Sequence, residues 1–155
     1  MTEVKSVATK AADLDISVFD SEDEADMVVM HPATGEPTTW IITFAGPGHP
    51  QAVAHAEKMS RERLREEREK EQARVNGRKW KAVDETLEES RQKNLSWIAS
   101  RMLRWTPVKI NGIDYPFSAE NAIKLLSDPR KGTLFQQCLD FVTADTSFIK
   151  GSAKI

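Results

Sequence analysis

Four features of this chain are of types that could do chemistry: three histidines, one cysteine, a glycine-proline loop and a basic cluster around a tryptophan. His31, His49 and His55 could ligate a metal together with Asp20 or Asp26. A helical metal pair needs ligands on one face, as the two histidines of HExxH are. His49 and His55 are six apart, and His31 and His49 stand in Pro- and Gly-rich stretches, so all three read as loop or surface histidines. Cys138 could be a nucleophile only as a thiolate in an electropositive, partly exposed setting. It falls instead on the apolar stripe Phe135, Cys138, Leu139 and Val142, which predicts a small buried hydrophobe. The loop AGPGHP (45–50) follows a strand pattern and opens a helix pattern, where anions bind readily. It has neither a P-loop nor a GxGxxG motif, and two prolines remove donors that a phosphate cradle would use, so it reads as a strand-to-helix connector. Arg74, Arg78, Lys79 and Lys81 around Trp80 could meet phosphates and stack on a base. The competing reading is a linker whose Trp80 packs back on the domain. No two of these features converge, so we expect no enzyme, no metal and no cofactor.

The elements that must position these residues follow from periodicity. Residues 16–19 (ISVF), 27–30 (MVVM) and 38–44 (TTWIITF) are rich in β-branched residues, and HPATGEP carries turn residues between the last two. This predicts a β-hairpin or three-stranded meander. The acidic run SEDEAD (21–26) reads as solvated loop, or as a patch that docks on a basic surface. Residues 51–75 predict a helix with sparse apolar positions. From Arg61 to Glu71 it carries ten charges, five of each sign, so ion pairing and propensity rather than burial support it. Asn76–Gly77 ends it, and 78–86 reads as a linker. A second helix is expected over 87–105, with Leu95, Ile98, Met102 and Trp105 on one face. TPVKINGIDYPF then signals a tight hairpin, because Asn-Gly suits a turn with positive φ at both central residues. Ser118 is a good N-cap for a helix over 119–126 that Asp128–Pro129 ends, and a last helix is expected over 133–144.

The fold class expected is therefore α+β: a small N-terminal antiparallel β-unit, a long charged helix, and a C-terminal mainly helical domain with one hairpin. In segments, 1–26 is acidic, 27–50 the β-unit, 51–86 the charged helix and linker, and 87–152 the helical domain with its hairpin at 106–116. The chain has 155 residues, 39% apolar and 30% charged, with a net charge of −2. That is poor in apolar and rich in charged residues for a globular domain. Residues 1–30 carry a net −6 and the remainder a net +4. The overall balance argues against nucleic acid as the main partner. One cysteine, no apolar run that would span a bilayer and no signal-peptide pattern point to a reducing, cytosolic setting. Four tryptophans against one tyrosine suit protein contacts, since Trp buries much area at little entropic cost. Trp105 belongs to the helical stripe. Trp97 lies off it, and is either a partner contact or a cover for the N-terminal hairpin.

Two stretches carry a family resemblance: HPATGEPTTWIITFAGPGHP (31–50) with the charged helix behind it, and WTPVKINGIDYPFSAENAIKLLSDPRKGTLFQQCLDFVTADTSFIKGS (105–152). Over residues 27–152 the chain resembles the tail assembly chaperones of long-tailed bacteriophages and prophages. The resemblance implies a protein that binds the long tape measure protein, helps recruit tail tube subunits in the bacterial host cytoplasm, and leaves before the virion matures. It implies no catalysis and transfers no contact residues. From the residues themselves we expect a helical partner in an apolar groove between helices 118–127 and 133–144, with Trp97, Phe141 and Phe148 near it, because Phe141 lies off its helix stripe and Phe148 lies past the helix end. The competing expectation is that both phenylalanines close the core. A minor structural protein retained in the virion, or a small nucleic-acid-binding regulator using 74–81, are the alternative functions.

Overall fold

The computed structural model describes residues 11–77 and 86–150. The chain is α+β, with a three-stranded antiparallel sheet, a long helix, and C-terminal helices with a small hairpin. Strand β1 (Glu24–Met30) pairs with β2 (Pro37–Ala45) through the Ala25↔Phe44 and Met27↔Ile42 registers. The third strand is β3 (Met102–Trp105), which pairs on the other edge of β2 in the register Ile42↔Trp105. Between them run α1 (Pro50–Val75) and α2 (Leu87–Arg101). After β3 come the short strands β4 (Lys109–Ile110) and β5 (Ile113–Asp114), then α3 (Ala119–Ser127) and α4 (Gly132–Thr143).

Two expectations are corrected here. The segment 16–19 is not a strand but a single 3-10 turn. The Asp15 carboxylate accepts from the Ser17 N–H at 3.0 Å, a local bond that competes with a sheet ladder. The expected helix over 87–105 stops at Arg101, and its last four residues become β3. The reason is twofold. The open edge of β2 offers ladder partners, and Pro107 favours extended backbone at residue 106. Thr106 then stitches the edge: its N–H donates to the Ile41 carbonyl at 2.9 Å, and its Oγ1 accepts from the Ile41 N–H at 2.9 Å. The four stripe residues Leu95, Ile98, Met102 and Trp105 are all buried, two from the helix and two from the strand. The acidic run also departs from a plain loop, since Glu24 onward belongs to β1 and Ala25 is buried.

One face of the sheet is apolar. Ala25, Met27, Val29, Ile42 and Phe44 join Leu95, Ile98, Leu126, Cys138 and Val142 in one core. α2 packs against both α3 and α4, and α4 reaches β1. The opposite face is polar: Thr43 Oγ1 donates to Asp26 Oδ1 at 2.7 Å, and Arg104 pairs with Glu24 at 2.7 Å. The hairpin forms as Asn-Gly requires, with φ of 51° at Asn111 and 80° at Gly112. Ser118 caps α3, accepting from the Asn121 N–H at 2.9 Å. Asp128 ends α3 and starts the next turn, accepting from the Arg130 N–H at 3.0 Å, Arg130 Nε at 3.2 Å and Lys131 Nζ at 2.9 Å. α1 differs from the other helices. Only Ala52 on it is buried, and from Arg61 to Val75 only Ala73 is even half-buried.

Two stability predictions follow from this packing. A methyl group at Gly46 would collide with the Glu22 backbone carbonyl, and neither backbone segment is free to move, because the Gly46 N–H donates to the Asp23 carbonyl at 2.8 Å. Gly46→Ala is expected to cost about 1–3 kcal/mol in urea unfolding; an unchanged midpoint would contradict the close approach. The bonds from Arg130 first, then Lys131, hold the Asp128 carboxyl well below the usual carboxylate range. A depressed native pKa stabilises the fold above the unfolded pKa of about 3.9 and loses that contribution as pH falls. The gap in urea midpoint between wild type and Asp128→Asn should therefore be full at pH 7 and shrink as pH falls below about 4; a gap constant with pH would refute the assignment.

Candidate functional site

Two of the three histidines cap local backbone N–H groups. His49 is the N-cap of α1, its Nδ1 accepting from the Gln51 N–H at 3.1 Å, so the AGPGHP loop is a connector that caps its own helix. His31 Nδ1 accepts from the Ala33 N–H at 3.1 Å in the β1–β2 turn. His55 is half-buried on α1, and burial, then Lys58, lower its pKa. Among the described residues no three His, Cys, Asp or Glu side chains cluster to hold a metal. Cys138 is fully buried, and burial pushes its thiol up to about 12, which keeps it protonated at neutral pH. Of the basic cluster, Arg74 is exposed and paired with Glu71 on the same helix, while Arg78, Lys79, Trp80 and Lys81 lie outside the described residues. No described helix is long and apolar enough to cross a membrane.

The structure separates the two parts of the groove expectation. The apolar cavity beside α3 and α4, about 390 Å³, is lined by Val29, Trp40, Ile110, Leu125 and Leu134 among others, and none of Trp97, Phe141 and Phe148 reaches it. The three predicted residues gather at the opposite end of α4, where α2 passes. Phe148 is 4% exposed, and its ring meets Phe141 edge-on at 5.7 Å. Phe141, half-buried, bridges to Phe44 at 5.4 Å. These two therefore help close the core. Trp97 is half-buried, and with Phe148 it lines a second cleft of about 590 Å³ together with Val18, Phe19, Val142 and Ile149.

This cleft is built by four elements. α2 supplies Trp97 and Arg101 one turn apart, the end of α4 supplies Val142, the following turn supplies Phe148 and Ile149, and the turn at 16–19 forms the outer wall. A bridge between Ser21 and Ile149, with the Glu22 N–H donating to the Phe148 carbonyl at 2.7 Å, ties that wall to the helical side. The wall is apolar and solvent-facing: Ile16 is 75% exposed, Val18 60% and Phe19 76%. Single exposed apolar residues are ordinary, but a run of them rimming a cleft marks a contact surface. Sequence reasoning missed this wall because it read 16–19 as a β-prone segment of a hairpin or meander. It also missed Arg101, a buried cation, because Arg101 lies off the apolar stripe Leu95, Ile98, Met102 and Trp105 of the helix expected over 87–105.

Comparison with protein-family models, curated proteins and solved structures yields no match for this chain.

Burial of Cys138 gives a direct check on its role. Its reaction with Ellman's reagent at pH 8 should be roughly 100-fold or more slower in the native protein than in denaturant, because exposure requires opening of the core. A native rate equal to the denatured one would return Cys138 to the list of reactive groups.

Proposed function

We propose that this chain is a non-enzymatic tail assembly chaperone of a long-tailed bacteriophage, which binds the tape measure protein and aids tail tube assembly in the bacterial host cytoplasm. The observation that carries the binding part is the apolar rim of the second cleft, where Val18 and Phe19 face solvent and line the cleft with Trp97. A soluble holdase needs such a surface, because it masks the apolar face of a partner until that face is buried in the assembly. The resemblance of residues 31–50 and 105–152 to phage tail assembly chaperones supports the identity of the partner. The chemistry available at the cleft is that of contact, with one guanidinium, aromatic rings and aliphatic side chains. A minor virion protein would use the same surface permanently, which makes retention the point of difference.

The test is a pull-down of the tagged chain co-expressed with its neighbouring tail genes, with mass spectrometry of the eluate and of purified virions. The expected result is co-recovery of a very long helical protein and none of this chain in virions. The double variant Val18→Ser/Phe19→Ser should lower recovery at least tenfold with an unchanged melting temperature, since both side chains are exposed. Fixed stoichiometry in virions would replace the chaperone reading with a structural one. Nuclease-sensitive material in place of a protein partner would replace it with the nucleic-acid reading.

A further inference from the structure

Arg101 is the one cationic side chain among the described residues that line the cleft. It is 6% exposed, on the last turn of α2. Its Nε donates to the Ala45 carbonyl at 2.6 Å, and its guanidinium lies over the Phe148 ring at 5.0 Å. Among the described residues no carboxylate pairs with it, and its remaining N–H donors have no hydrogen-bonded partner. Asp20, on the rim of the same cleft, forms no ion pair with it. The carbonyl, the ring and the helix C-terminus explain why a cation is tolerated there. They leave the terminal nitrogens without a partner among the described residues, and these are not sealed from solvent, since the buried unpartnered side-chain nitrogen among those residues is Trp40 Nε1; a ligand in the cleft that Arg101 lines can reach them. A planar fork matches a carboxylate through two parallel bonds, which an ammonium does not.

The surroundings fix the rest of the ligand. Phe19, Trp97 and Val142 line the cleft beside Arg101 and offer room for a large apolar side chain. Its volume of about 590 Å³ is that of an ordinary ligand site. Beyond the rim, Asp20, Glu22, Asp23 and Glu24 line an adjoining concavity. Lys150 lines the same concavity and offsets part of that charge; the remaining negative field opposes a polyanion more steeply than a single carboxylate, so the anion that Arg101 can hold is singly charged.

We propose that the cleft docks a segment of a partner protein through one Asp or Glu side chain bound by Arg101, next to an aromatic or branched aliphatic side chain packed on Phe19 and Trp97. This deepens the binding reading above and rests on it only in taking the cleft as a protein-contact surface; the phage assignment does not enter.

The test uses the full chain and two small probes, 3-phenylpropionate and its neutral amide, titrated by NMR. The Arg101 Nε–H and the Trp97 indole N–H are read, the latter assigned with Trp97→Phe. The expected result is that the carboxylate shifts both signals and binds at least tenfold more tightly than the amide. Arg101→Gln should erase that preference, and because it also removes the bond to the Ala45 carbonyl, the acid-against-amide comparison on the wild-type chain stands without it. Equal binding of acid and amide, or no response at either signal, overturns the proposal. So does a Trp97 signal that moves on dilution alone together with a dimer in sedimentation, which assigns the cleft to a second copy. A positive titration with a failed pull-down keeps Arg101 and removes the phage partner; the reverse keeps the chaperone and removes the carboxylate.

Discussion

The fold depends on the switch from helix to strand at Arg101–Met102. A two-stranded hairpin such as β1–β2 is marginal in water, and α1, which follows it, buries almost nothing. What completes the sheet is a strand delivered from the far side of the chain, β3, directly out of α2 with no loop between. Met102 and Ile98 are both fully buried, so the turn of chain that changes geometry lies in the core itself. Three hydrogen bonds hold it there: Arg101 Nε on the Ala45 carbonyl, and Gln51 Nε2 on the Ser100 and Met102 carbonyls at 2.6 and 3.2 Å. Gln51 also fixes the root of α1, so one junction sets the position of the sheet edge, both central helices and the cleft.

Aromatic contacts extend this junction to both ends of the molecule. At one end Trp105 lies near-parallel to Tyr115 at 6.0 Å, meets Phe117 edge-on at 4.9 Å, and donates its indole N–H to the Tyr115 carbonyl at 3.1 Å. This attaches the β4–β5 hairpin, which is too short to stand alone. At the other end Phe44, Phe141 and Phe148 form a chain from the sheet to the last turn. The aliphatic core lies between the two aromatic ends. The cleft lined by Phe148 is thus tied through Phe141 and Phe44 to the sheet.

Much of this was legible in the residues. Asn111–Gly112, Ser118 and Asp128–Pro129 are local signals whose physics needs no tertiary information, and each did what its chemistry dictates. The apolar stripe Leu95, Ile98, Met102 and Trp105 identified four core residues, although not that they change secondary structure midway. A period of 3.6 can continue past a helix end by coincidence, and the competing attraction, an unpaired β2 edge, is visible only in three dimensions. The turn at 16–19 failed for the converse reason: β-branched residues were read as strand formers where no strand edge received them. Of the cleft, Trp97 and Phe148 stood out by sequence; Arg101 did not, because its burial depends on where α2 ends and β3 begins, which is set in three dimensions.

The outer part of α1 has a different consequence. Twenty-six residues at 1.5 Å each make a rod of about 39 Å, fastened at its root and bare along its length. Because residues 61–75 contribute so little to the core, turns can be inserted or deleted there at little thermodynamic cost to the rest of the molecule. Core packing therefore places little constraint on the sequence or length of this region. The length of the rod can be set by the distance it has to reach rather than by what it has to stabilise.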